Sequence, residues 1–101
     1  MHDLFMYVIF VQMDSKRLSK HRSAVGLSYS TGSDLSPTIA VKGDRLEADE
    51  IVRLARRFGI PVVEKKQLAM ALRALNIDES VPSELFEAVA LVIAQVDKRI
   101  K

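Results

Sequence analysis

The chain has 101 residues, 49% of them hydrophobic and 28% charged, which suits one globular domain with a single modest core and leaves no room for two. Fifteen basic residues against thirteen acidic ones leave a net charge of +2, too little for a histone-like polycation. There is no cysteine, so disulfides, thiolate nucleophiles and cysteine-based zinc sites are excluded.

The first element is "LFMYVIFV", Leu4–Val11. Spanning a bilayer takes about 20 apolar residues, so this run is too short to cross. A signal peptide carries positive charge before its apolar run, whereas Asp3 precedes this one. Aromatic and β-branched residues favour a buried strand. Left exposed, such a strand self-associates. Residues 12–23 follow as a basic loop with Lys16, Arg17, Lys20 and Arg22. Residues 1–23 thus read as an appendage, or an extra strand plus loop, before a compact unit at 24–101.

Val25, Leu27 and Tyr29 alternate with Gly26, Ser28 and Ser30, the pattern of a half-buried strand. "STGSD" (30–34) is turn chemistry. "TIAVKG" forms a second strand with Pro37 at its start and Gly43 at its end. Asp44 and Glu47 fit a helix capping box, and Ile51, Leu54, Ala55 and Phe58 line one helical face up to a stop at Gly59. "IPVVE" (60–64) is a short buried strand, so 38–64 reads as a βαβ unit with parallel strands. Leu68, Ala71, Leu72 and Leu75 mark a second amphipathic helix. "NIDESVP" (76–82) connects it, with a very short strand near Ile77, to a third helix striped by Leu85, Val89, Val92, Ile93, Val96 and Ile100. Pro82 suits its first turn and Lys98, Arg99 and Lys101 its last.

No residue set announces catalysis. His21 has Ser19, Ser23 and Ser28 near it in sequence but no carboxylate, and reads as a solvated loop residue. His2 and His21 have no carboxylates at a metal-site spacing. "STGSD" and "KGDR" match no phosphate-binding motif. Glu47, Asp49 and Glu50 suit the first turn of a helix through its dipole. The run 16–22 packs four Lys/Arg into seven residues but lacks the interleaved aromatics of a single-strand reader. It reads as a solvated linker, with a basic module for nucleic acid or anionic membrane as the alternative. Pro37 beside the small residues Ala88, Ala90 and Ala94 could frame a shallow apolar groove for a peptide.

In order, "AVGLSY", "SPTIAVKG", "ADEIVRLARRFGIPVVE", "LAMALRAL" and "VPSELFEAVALVIAQV" resemble the cytoplasmic domain of the FlhB-like family, the substrate-specificity switch proteins of flagellar and type III export gates. The resemblance covers about residues 24–97. It implies an α/β fold, a small mixed sheet of about four strands surrounded by helices. It implies a non-enzymatic role in protein export at the cytoplasmic face of the membrane, with no cofactor. The implied partners are export-apparatus proteins, rod- and hook-type subunits and the hook-length control protein, with no specific nucleic acid. Association with the membrane would be peripheral, through the gate complex. Apart from the resemblance, the apolar N-terminal segment would form homo-oligomers if it is exposed.

The family carries Asn-Pro-Thr-His just before the segment matching "SAVGLSY", and its Asn side chain attacks its own carbonyl to break the chain. Those positions here are Ser19, Lys20, His21 and Arg22. Without Asn and Pro, the resemblance implies a chain that does not cleave itself. It also carries an apolar patch for export substrates onto Ser36, Pro37, Ala90 and Ile93. "FMYVIFVQ" would fill the strand that precedes the cleavage motif in relatives.

Overall fold

The computed structural model describes residues 5–13, 20–30 and 36–100. Strand β1 (Phe5–Met13) pairs antiparallel with β2 (His21–Ser30), and β2 antiparallel with β3 (Thr38–Asp44). Helix α1 (Leu46–Arg57) leads to the short strand β4 (Val62–Glu64), followed by α2 (Lys66–Arg73) and α3 (Ser83–Ile100). The sheet order is β3-β2-β1-β4.

β4 pairs in parallel with β1, with Ile9 opposite Val62 and Val11 opposite Glu64. A hairpin cannot reach a parallel neighbour; a crossover is required, and α1 supplies it. β3 and β4 point the same way, as the βαβ pattern predicts, but two strands separate them. The result is the small mixed α/β sheet expected from the sequence.

The N-terminal apolar run is an interior strand. Val8, Ile9, Phe10 and Val11 are at most 4% exposed. Successive strand residues face opposite ways, and helices cover both faces here, so an interior strand needs an unbroken apolar run. Val8 and Phe10 join Val25, Leu27 and Ile39 beneath Ala69 and Leu72 of α2 and Val89, Val92 and Val96 of α3. Ile9 and Val11 join Ala24 beneath Ala48, Val52 and Ala55 of α1. β2 begins at His21, so the boundary drawn before residue 24 falls inside it.

Helix α1 departs from expectation twice. Its N-cap is Arg45, with no side-chain cap bond. The carboxylate of Asp44 is instead engaged by the guanidinium of Arg73, whose fork meets both of its oxygens. Its buried face is Ala48, Val52 and Ala55, with Ile51 half-buried, while Leu54 and Phe58 are exposed. Gly43 explains the small residues, because a Cβ there would lie 2.9 Å from Glu47 Cβ; the helix runs close against the sheet. Gly59, at φ +73, stops the helix as predicted.

In the connection after α2 the chain makes an isolated bridge from Ser80 to Thr38, not a strand at Ile77. The turn residues 31–34 and the side chain of Ile100 lie outside what the structure describes.

Candidate functional site

Of the positions matched to the cleavage motif, Lys20 immediately precedes β2, while His21 and Arg22 open it. A register shift between Gln12 and Met13 offsets the pairing there, so that Met13 faces His21. The same end of β2 meets the first turn of α1. His21 is 4% exposed, which corrects the reading of it as a solvated loop residue. Its Nδ1 lies 2.8 Å from Asp49 Oδ1. The backbone N–H of His21 donates to the same carboxylate at 2.9 Å, and that of Lys20 donates to it at 3.1 Å.

Asp49 therefore does more than complement the helix dipole: one carboxylate fastens two successive peptide N–H groups and a buried imidazole. Burial pushes its pKa up, but the hydrogen bonds from His21 and from the N–H groups of Lys20 and His21 outweigh this and leave it below the ordinary carboxylate range. Glu50, its neighbour, pairs with Arg53 on the solvent side.

An imidazole oriented by a carboxylate is two-thirds of a nucleophilic triad. Among the described residues the nearby hydroxyl of Ser23 has no hydrogen-bond partner, so it does not engage the His21 ring as a third member. The arrangement is a clamp on the chain. Arg22 is exposed beside it, while Ser19, Lys16 and Arg17 lie outside the described residues.

The second candidate is the apolar patch. Pro37 is buried and Ser36 half-buried. Pro37 accepts a 2.9 Å hydrogen bond from the N–H of Val81, and Ser36 Oγ donates to the carbonyl of Val81 at 3.0 Å. The two residues are thus tied to the segment that starts α3. On α3, Ile93 is half-buried against the main core and Ala90 is exposed. Phe86, 42% exposed, stands four residues before Ala90, so Phe86, Ala90 and Ile93 share a helical face. Phe86 was missed because it falls outside the core stripe; its spacing to Ala90 and Ile93 was the available signal.

Among the described residues no helix is long and apolar enough to cross a membrane. Fold and sequence together define a small α/β domain built on a mixed four-stranded sheet. The sequence model of the FlhB HrpN YscU SpaS family matches residues 21–96. The chain belongs to this family, and so to the proteins of flagellar and type III export. It is 32% identical over 83 residues to the uncharacterized protein YlqH of Bacillus subtilis, covering 79% of this chain and 89% of that one. To the flagellar biosynthetic protein FlhB of Aquifex aeolicus it is 36% identical over 74 residues, 72% of this chain but 21% of the relative. The crystal structure of the cytoplasmic domain of FlhB from Shewanella putrefaciens superposes with a TM-score of 0.73 at 32% identity, covering 88% of this chain and 66% of that one. The chain thus spans most of the small relative and about a fifth of the flagellar one.

Proposed function

We propose that this protein is a non-cleaving member of its family that works at the cytoplasmic face of the export gate. There it binds export substrates or docks on the gate, and it influences which subunits pass. It is not an enzyme. The observation that carries the reading is the clamp at the cleavage position. Ser19 and Lys20 replace the Asn and Pro that the self-cleavage reaction needs, and Lys20 and His21 are fastened to Asp49. A serine has no amide to cyclise, and an anchored backbone resists the rotation that would bring a side chain onto its own carbonyl.

The apolar stripe Phe86, Ala90 and Ile93 on α3, the helix that follows the Val81 segment to which Ser36 and Pro37 are bonded, supports substrate docking, since an export signal with an apolar anchor would seat there. Intact mass of the purified chain tests the first part, and a single unbroken species is expected. Pulldown with rod, hook and hook-length proteins tests the second. Ala90→Asp, on an exposed position, should abolish capture without unfolding the domain. Capture by none of these proteins, or capture indifferent to Ala90→Asp, would sink it.

A further inference from the structure

Helix α1 leaves part of its face of the sheet bare. Beside the helix lies an apolar recess of about 390 Å³. Its floor holds the buried residues Ile9, Gly26 and Ala55, and its rim carries Tyr7, Leu54 and Phe58, all exposed. Phe58 projects furthest into solvent, at 71% exposure. A hollow and a projecting ring thus sit side by side on one patch. Such a patch can be self-complementary, because a twofold contact sets the ring of each copy against the hollow of the other.

The same side of α1 is polarised in charge. Glu47, Ile51, Leu54 and Phe58 follow one another at i, i+4, i+7 and i+11, one face of a helix. Glu50 and Arg57 flank Leu54, four residues before it and three after. Glu50 is paired with Arg53, whereas Glu47 and Arg57 are exposed and have no side-chain partner among the described residues. Carboxylates therefore occupy the first half of this side and guanidiniums the second. The pattern reverses about a single point. Val52 lies midway between Glu47 and Arg57, and the midpoints of Glu50 with Arg53 and of Ile51 with Leu54 fall within half a residue of it. A copy turned end for end at the level of Val52 sets Glu47 opposite Arg57 and Ile51 opposite Leu54. An acidic partner would answer Arg57 but oppose Glu47, and a basic one the reverse; a second copy answers both.

We propose that this side of α1 is a homodimer interface. Two copies pair across a twofold axis with their α1 helices antiparallel, and the helix of each lies over the part of the sheet that the other leaves bare. The antiparallel helix dipoles attract as well. A few exposed apolar side chains make a small patch against the roughly 800 Å² per partner of a standard interface, so the dimer is weak and reversible. The charges fix its direction and register more than its strength.

The test is sedimentation equilibrium of the full chain over a rising concentration series. A monomer–dimer equilibrium that stops at the dimer is expected. Phe58→Ser, which removes the projecting ring, should weaken it about tenfold. Glu47→Arg and Arg57→Glu, each alone, set like charges opposite one another twice per dimer and should also weaken it about tenfold. Combined in one chain they exchange the two signs, and the dimer should return to within a few-fold of the parent. This rescue separates pairing from folding. Each single change sets a charge against the helix dipole, so any damage to the fold would add in the double variant, whereas the effects on pairing cancel. Thermal unfolding followed by circular dichroism checks that each variant is folded. A chain that stays monomeric at every concentration, association that continues past the dimer, association indifferent to Phe58→Ser, or a double variant no stronger than either single one would overturn the interface.

Discussion

The two faces of the sheet are covered in different ways. Beneath α2 and α3, Val8, Phe10, Val25, Leu27, Ile39, Leu72 and Val89 form one continuous core. Beneath α1 the buried cluster is smaller and built from small side chains, Ala24, Ala48, Val52 and Ala55 with Ile9 and Val11. That face also keeps an open apolar recess of about 390 Å³, ringed by Tyr7, Val41, Leu54 and Phe58. The comparison separates stability from attachment. The first face holds the domain together by apolar burial, whereas α1 is held by less apolar area plus a polar clamp at its first turn.

The largest effect should come from the first face. Phe10→Ala should cost about 3–5 kcal/mol, the range for emptying an aromatic core site. Val52→Ala, the matching truncation under α1, should cost about 2 kcal/mol from its two lost carbons and a shallow cavity. Urea unfolding of both variants measures the difference. Equal losses would erase the asymmetry.

Next in size is the clamp. Asp49→Ala leaves a buried imidazole and two N–H groups without their acceptor, at about 2–3 kcal/mol. Asp49→Asn keeps one oxygen and should recover part of it. The pH dependence has a definite sign. Because the Asp49 carboxyl is held below its ordinary value, its contribution is complete above the unfolded value of about 3.9 and is lost as the pH falls through the lower folded value. Asp44, lowered chiefly by its hydrogen bond with Arg73, acts in the same direction but is more exposed and adds less. Acid unfolding should therefore be shallower in Asp49→Ala than in the parent chain.

A smaller effect tests how closely the α1 face is packed where it is bare. A Cβ on Gly26 would lie 2.7 Å from Val41 Cγ1 and 2.9 Å from Ile9 Cδ1. Both are side-chain ends, and Val41 is partly exposed, so the contacts can give. Gly26→Ala should destabilise by about 1–2 kcal/mol, toward the low end for overpacking. No loss would show that the strands at the recess are loosely held.

What could be read in the sequence divides along the same line. Elements set by local pattern were legible: the apolar run of β1, the glycine stop after α1 and the stripe of α3; β2 was legible as a strand, but its expected half-burial gave way to burial on both faces because it lies between β3 and β1. Pairings that depend on tertiary placement were not. His21 and Asp49 are 28 residues apart, and nothing in either neighbourhood forecasts that one becomes buried against the other. Asp44 had the right spacing for a cap, yet Arg73, brought in by α2, took its carboxylate. The helical stripe through Leu54 and Phe58 was out of phase because close approach at Gly43 selects alanine and valine for the contact face. The Ser36, Pro37, Ala90 and Ile93 set came from family resemblance, and its structural complement Phe86 was hidden by a core pattern that ran beside it.

The smallest expected effect is the sharpest form of the comparison, because it uses the same residue type on the other face. Phe58 closes α1 and is 71% exposed, whereas Phe10 is fully buried. Truncating an exposed ring removes little buried area and creates no cavity, so Phe58→Ser should change stability by no more than about 0.5 kcal/mol. Its effect should appear in association instead. Tyr7, Leu54 and Phe58 together expose more apolar surface than scattered single residues do, and such patches promote self-contact. Sedimentation of the parent chain at rising concentration should show more association than Phe58→Ser, with the two unfolding curves superimposed. A stability loss approaching that of Phe10→Ala would mean that α1 is fastened by its C-terminal ring, and the clamp at Asp49 would then be the lesser of its two attachments.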